Sequence, residues 1–289
     1  MMPPQVGLSL MLEDDFLRAT HPLFQAGEVD ALEWSFDVGW PRAVMPEWAS
    51  ELLQAYSDAE RLVGHGVSYS PLSAGVDSLQ ERWLVQLGAE LRGRRYRHLS
   101  EHFGFSTSRN FHQSAPLPVP LTDATLRLGQ RNLRQLADVA RLPIGLENLA
   151  FAFSIRDVEE QGRFLDELLA PVDGFIVLDL HNLYCQAINF DQPFDALLLR
   201  YPLQRVRELH VAGGSWSTSA SCPTTRVRRD THDHPVPEEL FRWLPRVLAR
   251  CPHVEVVILE RMGGTLAAGD EEQFRADFRR LKAVVHATP

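Results

Sequence analysis

The feature that most constrains this chain is a repeated pairing of a short apolar run with a longer amphipathic stretch. The longer stretches include residues 122–142, which begin with the helix-capping residues Thr122 and Asp123, and residues 271–286. The apolar runs, taken as strands, cover residues 6–10, 31–37, 62–68, 96–104, 144–150, 175–182, 206–213 and 254–261. Strands that alternate with helices pair in parallel, and eight such units in 289 residues predict a closed barrel. We therefore predict an α/β fold, a single (β/α)8 TIM barrel that spans residues 1–289 as one domain.

Ionisable side chains recur near the carboxyl ends of the predicted strands. Such groups point toward the mouth of a barrel, where barrel enzymes hold their active sites. One strand-end histidine is more often a hydrogen-bonded structural residue than a ligand. Several together would bury negative charge that no lysine and only Arg261 could balance, so the pattern predicts bound cations. The six residues are His65, His102, Glu147, Asp179, His210 and Glu260.

The stretch RRDTHDHPVP, residues 228–237, is either a polar surface loop or part of a metal site. It follows the seventh predicted strand and therefore lies above the same mouth. Asp230 and His232 can both turn inward, and Asn182, just after the sixth strand, can add a carbonyl oxygen. About nine ligands exceed what one ion of four to six coordination takes, which indicates two or three ions. Nitrogen and oxygen ligands without a thiolate suit iron or manganese, and zinc somewhat less.

Composition excludes several classes of protein. The net charge of −9 argues against nucleic acid as the main partner, because phosphate binding depends on clustered Lys and Arg. The chain shows neither a run of roughly 18 apolar residues nor secretory-signal features, so we expect a cytoplasmic protein with no membrane partner. The basic run 92–98 is expected to be a solvated helix end, and the single lysine, Lys282, disfavours Schiff-base chemistry. Three cysteines without a CxxC motif are expected to be free thiols: Cys185, which we expect to be buried, Cys222 and Cys251.

The order of the motifs resembles that of a known family. GHGVSYS, SEHFGFS, LPVPLTDATL, GLENLAF, VLDLHNLY, ELHVAGG, DTHDHPVP and LER follow one another between about residues 60 and 262. The chain is similar here to the multinuclear non-heme iron-dependent oxidative enzymes, a bacterial family that includes the iron subunit of methanobactin biosynthesis. The resemblance implies a TIM barrel with two or three Fe2+/Fe3+ ions that uses O2 to modify a ribosomally made precursor peptide, usually at cysteine. It also implies a small partner protein that binds the peptide leader.

The resemblance also assigns roles to particular residues. Glu147 is expected to bridge two irons, and Glu147, Asp179 and His210 are the residues we assign to catalysis as well. Asp233 and His234 are expected to orient ligands by hydrogen bonds from outside. His181 and Met262 depart from the family pattern, as does the stretch 31–40. The implied iron ligands are His65, His102, Glu147, Asp179, Asn182, His210, Asp230, His232 and Glu260.

Two other interpretations stay open on the sequence alone. A divalent-metal hydrolase or isomerase of the sugar-isomerase or endonuclease IV type also collects His, Asp and Glu at strand ends. Its activity would need no oxygen and would be supported by Zn or Mn. A catalytically idle binding subunit that merely keeps the barrel is the third possibility, and the complete set of ligands argues against it because a scaffold has no need for so costly a charge cluster.

Overall fold

The computed structural model describes residues 3–40, 45–108, 111–219, 222 and 224–288. The strands of this part of the chain, in chain order, are β1 Gln5–Ser9, β2 Ala31–Trp34, β3 Leu62–Gly66, β4 Leu99–His102, β5 Phe105–Ser108, β6 Phe111–Leu117, β7 Ile144–Glu147, β8 Phe175–Asp179, β9 Val206–Val211, β10 Trp216–Thr218, β11 Arg226–Arg228 and β12 Val256–Leu259. Eight of them form a closed parallel barrel in the order β1-β12-β9-β8-β7-β4-β3-β2. The predicted barrel is confirmed, and each predicted apolar run contributes one barrel strand.

Helices fill the connections between the strands. They are α1 Asp14–Gln25, α2 Phe36–Gly39, α3 Glu47–Asp58, α4 Asp77–Gly93, α5 Asp123–Ala140, α6 Ile155–Leu169, α7 Leu180–Asn189, α8 Phe194–Leu198, α9 Glu238–Leu248 and α10 Asp270–Ala287, with 3-10 turns at Ala170–Val172 and Leu203–Arg205. The predicted cap of α5 is present, since the Thr122 side chain accepts a hydrogen bond from the Thr125 N–H. No helix of the described chain is both long and apolar enough to cross a membrane.

Side chains that point into the barrel change character along the strands. Successive strand residues face opposite sides, so Ala31 and Glu33 share one face of β2, and Val63 and His65 share one face of β3. The lower layer is a small apolar cluster of Ala31, Val63, Val256 and Ile258, separate from the main core. The next inward positions carry buried ionisable groups. The barrel interior therefore runs from hydrocarbon at its base to charge at its mouth.

The basic run 92–98 is a solvated helix end only at Arg92 and Gly93, which end α4 and are exposed, and the prediction is wrong for the rest of the run. α4 ends at Gly93, and the chain then becomes extended as it approaches β4. Alternate residues turn outward and inward: Arg97 forms an ion pair with Glu255, whereas His98 is buried. His98 Nε2 lies 2.8 Å from a carboxylate oxygen of Glu208 inside the barrel. The run therefore leads into the predicted strand 96–104, and His98 is one of its buried residues.

Two antiparallel hairpins stand outside the barrel, and the sequence patterns did not predict them. β5 and β6 form one hairpin directly after β4, with the rings of Phe105 and Phe111 stacked at 5.3 Å. β10 and β11 form the second, inside the long connection after β9. Both hairpins follow the carboxyl end of a barrel strand, so both belong to the mouth. The three cysteines are free thiols, as predicted, and Cys185 is buried.

Candidate metal centre

Three side chains on neighbouring strands converge at one side of the mouth. His65 is the next-to-last residue of β3, and His102 and Glu147 are the last residues of β4 and β7. The Nε2 atoms of the two histidines lie 3.3 Å apart, and Glu147 Oε2 lies 3.5 Å from His65 Nε2 and 3.3 Å from His102 Nε2. Two imidazole nitrogens and a carboxylate oxygen around one point could hold a metal ion.

The ring of His65 is oriented by a hydroxyl. Ser100 Oγ lies 2.7 Å from His65 Nδ1 and itself donates to the Gly64 carbonyl oxygen at 3.3 Å. Because the hydroxyl proton is used on that carbonyl, the oxygen accepts from Nδ1–H. The lone pair of His65 is then on Nε2, the atom that faces His102 and Glu147. In metal sites an outer hydrogen bond of this kind fixes the tautomer of a ligating histidine, so the geometry suits His65 as a ligand.

The second oxygen of Glu147 faces a different set of ligand atoms. Glu147 Oε1 lies 3.4 Å from His210 Nδ1, on β9, and His210 Nδ1 lies 3.2 Å from Glu260 Oε2, just after β12. Asp179, the last residue of β8, joins this group, and the four ligand atoms all lie within 4.8 Å of one another. The two oxygens of one carboxylate thus face two groups of ligand atoms, which is the arrangement that a bridging carboxylate requires.

Asp179 and Asn182 lie at the junction of β8 and α7. Asp179 caps the helix, because its Oδ1 accepts from the Asn182 backbone N–H at 2.6 Å. The Asn182 amide donates to the Asn148 carbonyl oxygen at 2.9 Å. These bonds leave Asp179 Oδ2 and Asn182 Oδ1 buried and without a partner in the described chain. The capping geometry therefore points both free oxygens into the mouth.

The DTHDHP stretch brings Asp230 and His232 to the same place. Asp230 Oδ1 lies 2.9 Å from His232 Nε2, and His232 Nδ1 lies 3.9 Å from Glu260 Oε2. The backbone of His232 has a φ of 52°, in the left-handed region that a non-glycine residue rarely adopts. Its carbonyl oxygen accepts from the Met262 N–H at 2.8 Å, which ties the loop to the chain after β12. The loop is therefore held against the barrel mouth.

His181, which departs from the family pattern, supports this loop. Its Nε2 accepts hydrogen bonds from the Arg228 guanidinium at 3.2 and 3.3 Å, so the ring proton is on Nδ1 and donates to Asp230 Oδ1 at 2.8 Å. Burial lowers the pKa of His181, in keeping with a neutral ring. A Cβ at Gly214 would collide with the Arg229 carbonyl oxygen and the His181 ring, so the glycine permits this close approach.

Asp233 and His234 lie outside the cluster of ligand atoms. Asp233 Oδ1 accepts from the Thr231 hydroxyl at 2.5 Å and lies 2.8 Å from His234 Nδ1. Thr231 in turn accepts from the Ser215 N–H at 2.8 Å. The His234 side chain is 57% exposed. In the described chain neither side chain forms a hydrogen bond or an ion pair with any of the nine predicted ligands, and both act on the shape of the loop.

The mouth carries a strongly negative potential. Burial lowers the pKa of His210, but the nearby Glu260 and Glu33 carboxylates outweigh it and raise that pKa well above its usual value. Burial likewise opposes protonation of His232, and Asp230 and Glu260 raise its pKa. Among the described residues, no Arg or Lys forms an ion pair with any of the carboxylates Glu147, Asp179, Asp230 and Glu260. The carboxylates favour protonated imidazoles here. A bound metal cation could neutralise the same negative charge in place of those protons.

The residues present fit a metal-binding role, as the buried atoms without partners show. Buried polar atoms are nearly always hydrogen-bonded, so a group of unpartnered ones requires an explanation. In the described chain they cluster here and include His102 Nδ1, Asp179 Oδ2, Asn182 Oδ1, His210 Nδ1, His232 Nε2 and Glu260 Oε2. Most belong to the nine predicted ligands, and all nine lie at the mouth.

Sequence reasoning missed the groups beneath His210. Glu33 Oε2 lies 3.0 Å from His210 Nε2, and Glu208 Oε1 lies 3.6 Å from the same nitrogen. Burial raises the pKa of Glu33 to about 7, and the charge of His210 opposes that rise. The signal was present, since a glutamate inside the apolar run ALEW has to face a buried surface. Glu33 was passed over because it lies in mid-run and not at a strand end.

A closed parallel barrel with clustered histidines and carboxylates at the carboxyl ends of its strands defines a TIM-barrel protein with a candidate metal centre. Residues 32–271 match the family described as "RiPP precursor modification enzyme MbnB/TglH/ChrH", in which RiPP denotes a ribosomally synthesised and post-translationally modified peptide. The chain belongs to this family, and the resemblance inferred from the motifs is confirmed.

Several relatives are known by sequence as UPF0276 proteins. The chain is 33% identical over 203 residues to one from Bordetella pertussis, a match that covers 69% of this chain and 68% of that protein. It is 28% identical over 229 residues to one from Caulobacter vibrioides, covering 78% and 75% of the two chains. A Shewanella loihica relative is 30% identical over 149 residues, and here the match spans about half of each protein, 52%.

Solved structures share the fold. The D-allulose 3-epimerase of Methylomonas sp. superposes with a TM-score of 0.63 at 13% identity, covering 98% of this chain and 99% of that one. The IolI protein, crystallised with a bound zinc atom, gives 0.63 at 11% identity and covers 99% of both chains. At such low identity the likeness concerns the barrel alone.

Proposed function

We propose that this chain is an iron-dependent oxidoreductase that uses O2 to modify a ribosomally made precursor peptide, most often at a cysteine. Membership of a family of peptide-modifying enzymes supports the substrate class. One observation carries the metal assignment: Glu147 faces His65 and His102 with one oxygen and His210 with the other. A single carboxylate shared between two groups of ligand atoms favours a centre of two or three ions over a site for one.

The proposal divides the work among the residues. His65, His102 and Glu147 would hold one ion, and Glu147, Asp179, His210 and Glu260 a second; Asn182, Asp230 and His232 complete the set or hold a third. Bound iron would supply the one-electron and dioxygen chemistry that these side chains lack. The chain itself orients the ligands, through Ser100 on His65 Nδ1 and Glu33 on His210 Nε2. Burial of the mouth excludes water from the reacting groups.

The surroundings of the reaction are part of the same proposal. We expect the chain to act as one barrel domain in the cytoplasm, together with a small partner protein that captures the leader of the peptide. No side chain of the described mouth is needed as a covalent nucleophile. Cys185, the thiol nearest the centre, lies 3.9 Å from His181 Nδ1, and burial raises its pKa, so it is held as an unreactive thiol.

The experiment that tests the proposal counts metal and follows mass. Protein purified without air should contain about two to three iron ions per chain. Co-expression with short cysteine-containing reading frames from the neighbouring genes should give a peptide whose mass changes only when oxygen is present. Stoichiometric zinc, with activity restored by zinc alone and without oxygen, would contradict the proposal. That outcome would favour the divalent-metal hydrolase or isomerase.

A further inference from the structure

We propose that an arginine–aromatic rim beside the metal centre binds an acidic segment of the peptide substrate. The rim consists of Phe151, Phe153, Trp216, Arg226 and Arg229. This inference rests on the proposed function, because it takes a peptide as the molecule that enters the mouth. It adds where the peptide docks and which charge it carries there.

The arginines of the rim differ from the other surface arginines of the chain. Several other exposed guanidinium groups lie against carboxylates, as in the pairs Arg163–Glu160, Arg246–Asp195, Arg279–Glu28 and Arg280–Glu238. Others, such as Arg82, Arg127 and Arg156, are exposed without an ion pair in the described chain, but none of these three lies over an aromatic ring. Arg226 and Arg229 are also exposed, yet neither forms an ion pair with a carboxylate of the described chain. Among the described residues, Arg226 and Arg229 are the exposed arginines that lie over aromatic rings and have no carboxylate partner, so in a protein of net charge −9 they are available to an acidic ligand.

Aromatic rings lie beneath these arginines. The Arg226 guanidinium is 4.8 Å from the centre of the Trp216 ring, and that of Arg229 is 5.2 Å from the Phe151 ring. A guanidinium stacked on a ring keeps its N–H groups at its edge, where they can bind a carboxylate. Trp216 is 39% exposed and Phe153 is 64% exposed. Large exposed rings next to fixed cations are typical of a surface that another chain covers.

The rim is joined directly to the centre. Arg229 precedes Asp230, one of the predicted ligands, and its N–H donates to the Ser215 carbonyl oxygen at 2.9 Å at the base of the β10–β11 hairpin. Phe151 and Phe153 lie in the loop that follows Glu147 at the end of β7. A peptide that lies across these residues therefore passes over the mouth.

The local sequence favours an acidic partner. Residues 213–229 contain no Asp or Glu, and neither do residues 148–154. The rim is thus a basic island on an acidic protein, and it offers an acidic segment two cations that the neighbouring sequence does not neutralise. Nucleic acid would meet the same arginines, but the net charge of −9 repels a phosphate backbone elsewhere on the surface.

The test uses two labelled peptides and two double variants. One peptide is composed of Glu, Phe, Ser and Gly, and in the other Gln replaces each Glu. R226Q/R229Q removes the rim charges. R95Q/R250Q is the matched control, because Arg95 and Arg250 are also exposed but precede β4 and β12 at the opposite end of the barrel. Fluorescence anisotropy measures the dissociation constants, and iron is counted in every sample.

The parent and R95Q/R250Q should bind the acidic peptide about fivefold more tightly than its Gln counterpart, as two partly exposed ion pairs would give. R226Q/R229Q should bind both peptides equally weakly and keep its full iron. Phe153→Ser should weaken both peptides alike, since it removes a ring and no charge. Raising the salt to about 1 M, where the Debye length is about 3 Å, should abolish the parent's preference.

Three results would overturn the inference: no preference in the parent, the same preference in R226Q/R229Q, or loss of iron from R226Q/R229Q. The last would make these arginines supports of the metal loop. Equally tight binding of a single-stranded oligonucleotide of matched charge, in competition with the peptide, would also overturn it. Failure of the proposed function shows separately, as zinc in place of iron in the parent, whatever the peptides do.

Discussion

In the strand half of the candidate metal centre the backbone ladder sets the distances between the predicted ligands, whereas in the loop half side-chain contacts do so. His102 is the register partner of Glu147, and Asp179 is the register partner of His210. Neighbouring strands of a sheet lie about 4.8 Å apart, so residues opposite each other bring their ligand atoms together without further support. The strand half comprises His65, His102, Glu147, Asp179, His210 and Glu260. The loop half comprises Asp230 and His232, together with Asn182 in the first turn of α7.

The loop half depends on contacts that are not part of any barrel strand. Asp230 is held by His181, and His181 by Arg228 from the β10–β11 hairpin. His232 keeps a left-handed backbone that costs about 1 kcal/mol or more, and the surrounding contacts must maintain it. The geometry of the strand half therefore follows from the barrel itself, while that of the loop half depends on residues outside the nine predicted ligands.

The largest effect is expected at the carboxylate shared within the strand half. Glu147→Gln removes one charge at nearly constant volume, so the barrel should fold while iron content falls and turnover drops more than about 100-fold, beyond the cost of losing an outer contact. Glu90→Gln is the control, since Glu90 pairs with Arg94 far from the mouth. Full iron and full turnover in Glu147→Gln would remove Glu147 from the ligands.

The next effect separates a loop ligand from its neighbour. His232→Ala deletes a nitrogen from the centre, so at least one ion should be lost together with activity. His234→Ala removes only the contact with Asp233, and we expect at most about a tenfold loss, the lower end for an outer contact. Measuring iron content and turnover in both variants shows whether His232 is a ligand and His234 an outer residue. If neither changes, residues 228–237 are a plain polar loop.

Within the strand half, a smaller effect is expected at Glu33. In the parent protein the charge of Glu33 favours a proton on His210 Nε2, and this leaves His210 Nδ1 free to bind a metal. Glu33→Gln removes that charge. Affinity for the metal should weaken about 10- to 100-fold, with iron still bound at saturation. Competition with a chelator measures it, and Glu90→Gln again serves as the control. An unchanged affinity would show that His210 needs no support from Glu33.

The smallest effect should be confined to the loop half. Arg228→Gln frees His181 to turn away from Asp230, so one ion should be held less tightly, by about threefold to tenfold, because Arg228 acts through two intermediates. Arg226→Gln is the matched control, since Arg226 lies on the same hairpin face and contacts no ligand. Equal weakening of every ion in Arg228→Gln would show that the two halves do not behave separately.

The strand half could be predicted from the sequence because a parallel barrel imposes one rule on every strand: polar residues at its carboxyl end meet. The predicted strands ran past the observed ends, as at 96–104 against Leu99–His102, because residues that line the mouth continue the apolar pattern beyond the ladder. This rule does not predict buried ionisable residues that lie in the middle of a strand. Glu33 and Glu208 lie below the mouth, where a barrel usually packs apolar side chains.

The supports of the loop half could not be predicted, because they join residues far apart in the sequence through contacts with no local pattern. Arg228 and His181 are separated by 47 positions. The β10 and β11 strands have only three residues each and consist mainly of Ser, Thr and Arg, so they show no apolar alternation. The predicted strand 96–104 includes His98, but the arginines around it gave no sign that its ring is buried beside Glu208, which lies 110 positions away in the sequence.

The buried carboxylates Glu33 and Glu208 beneath the centre bear on how long the protein survives in a cell. Without a cation above them, these groups and the carboxylates of the mouth repel one another inside the barrel, and that repulsion lowers the free energy of unfolding. Any ion that binds only the folded chain restores the loss in proportion to the logarithm of its concentration. Proteases act on the unfolded fraction, so scarcity of the metal would shorten the lifetime of the polypeptide as well as stop its chemistry.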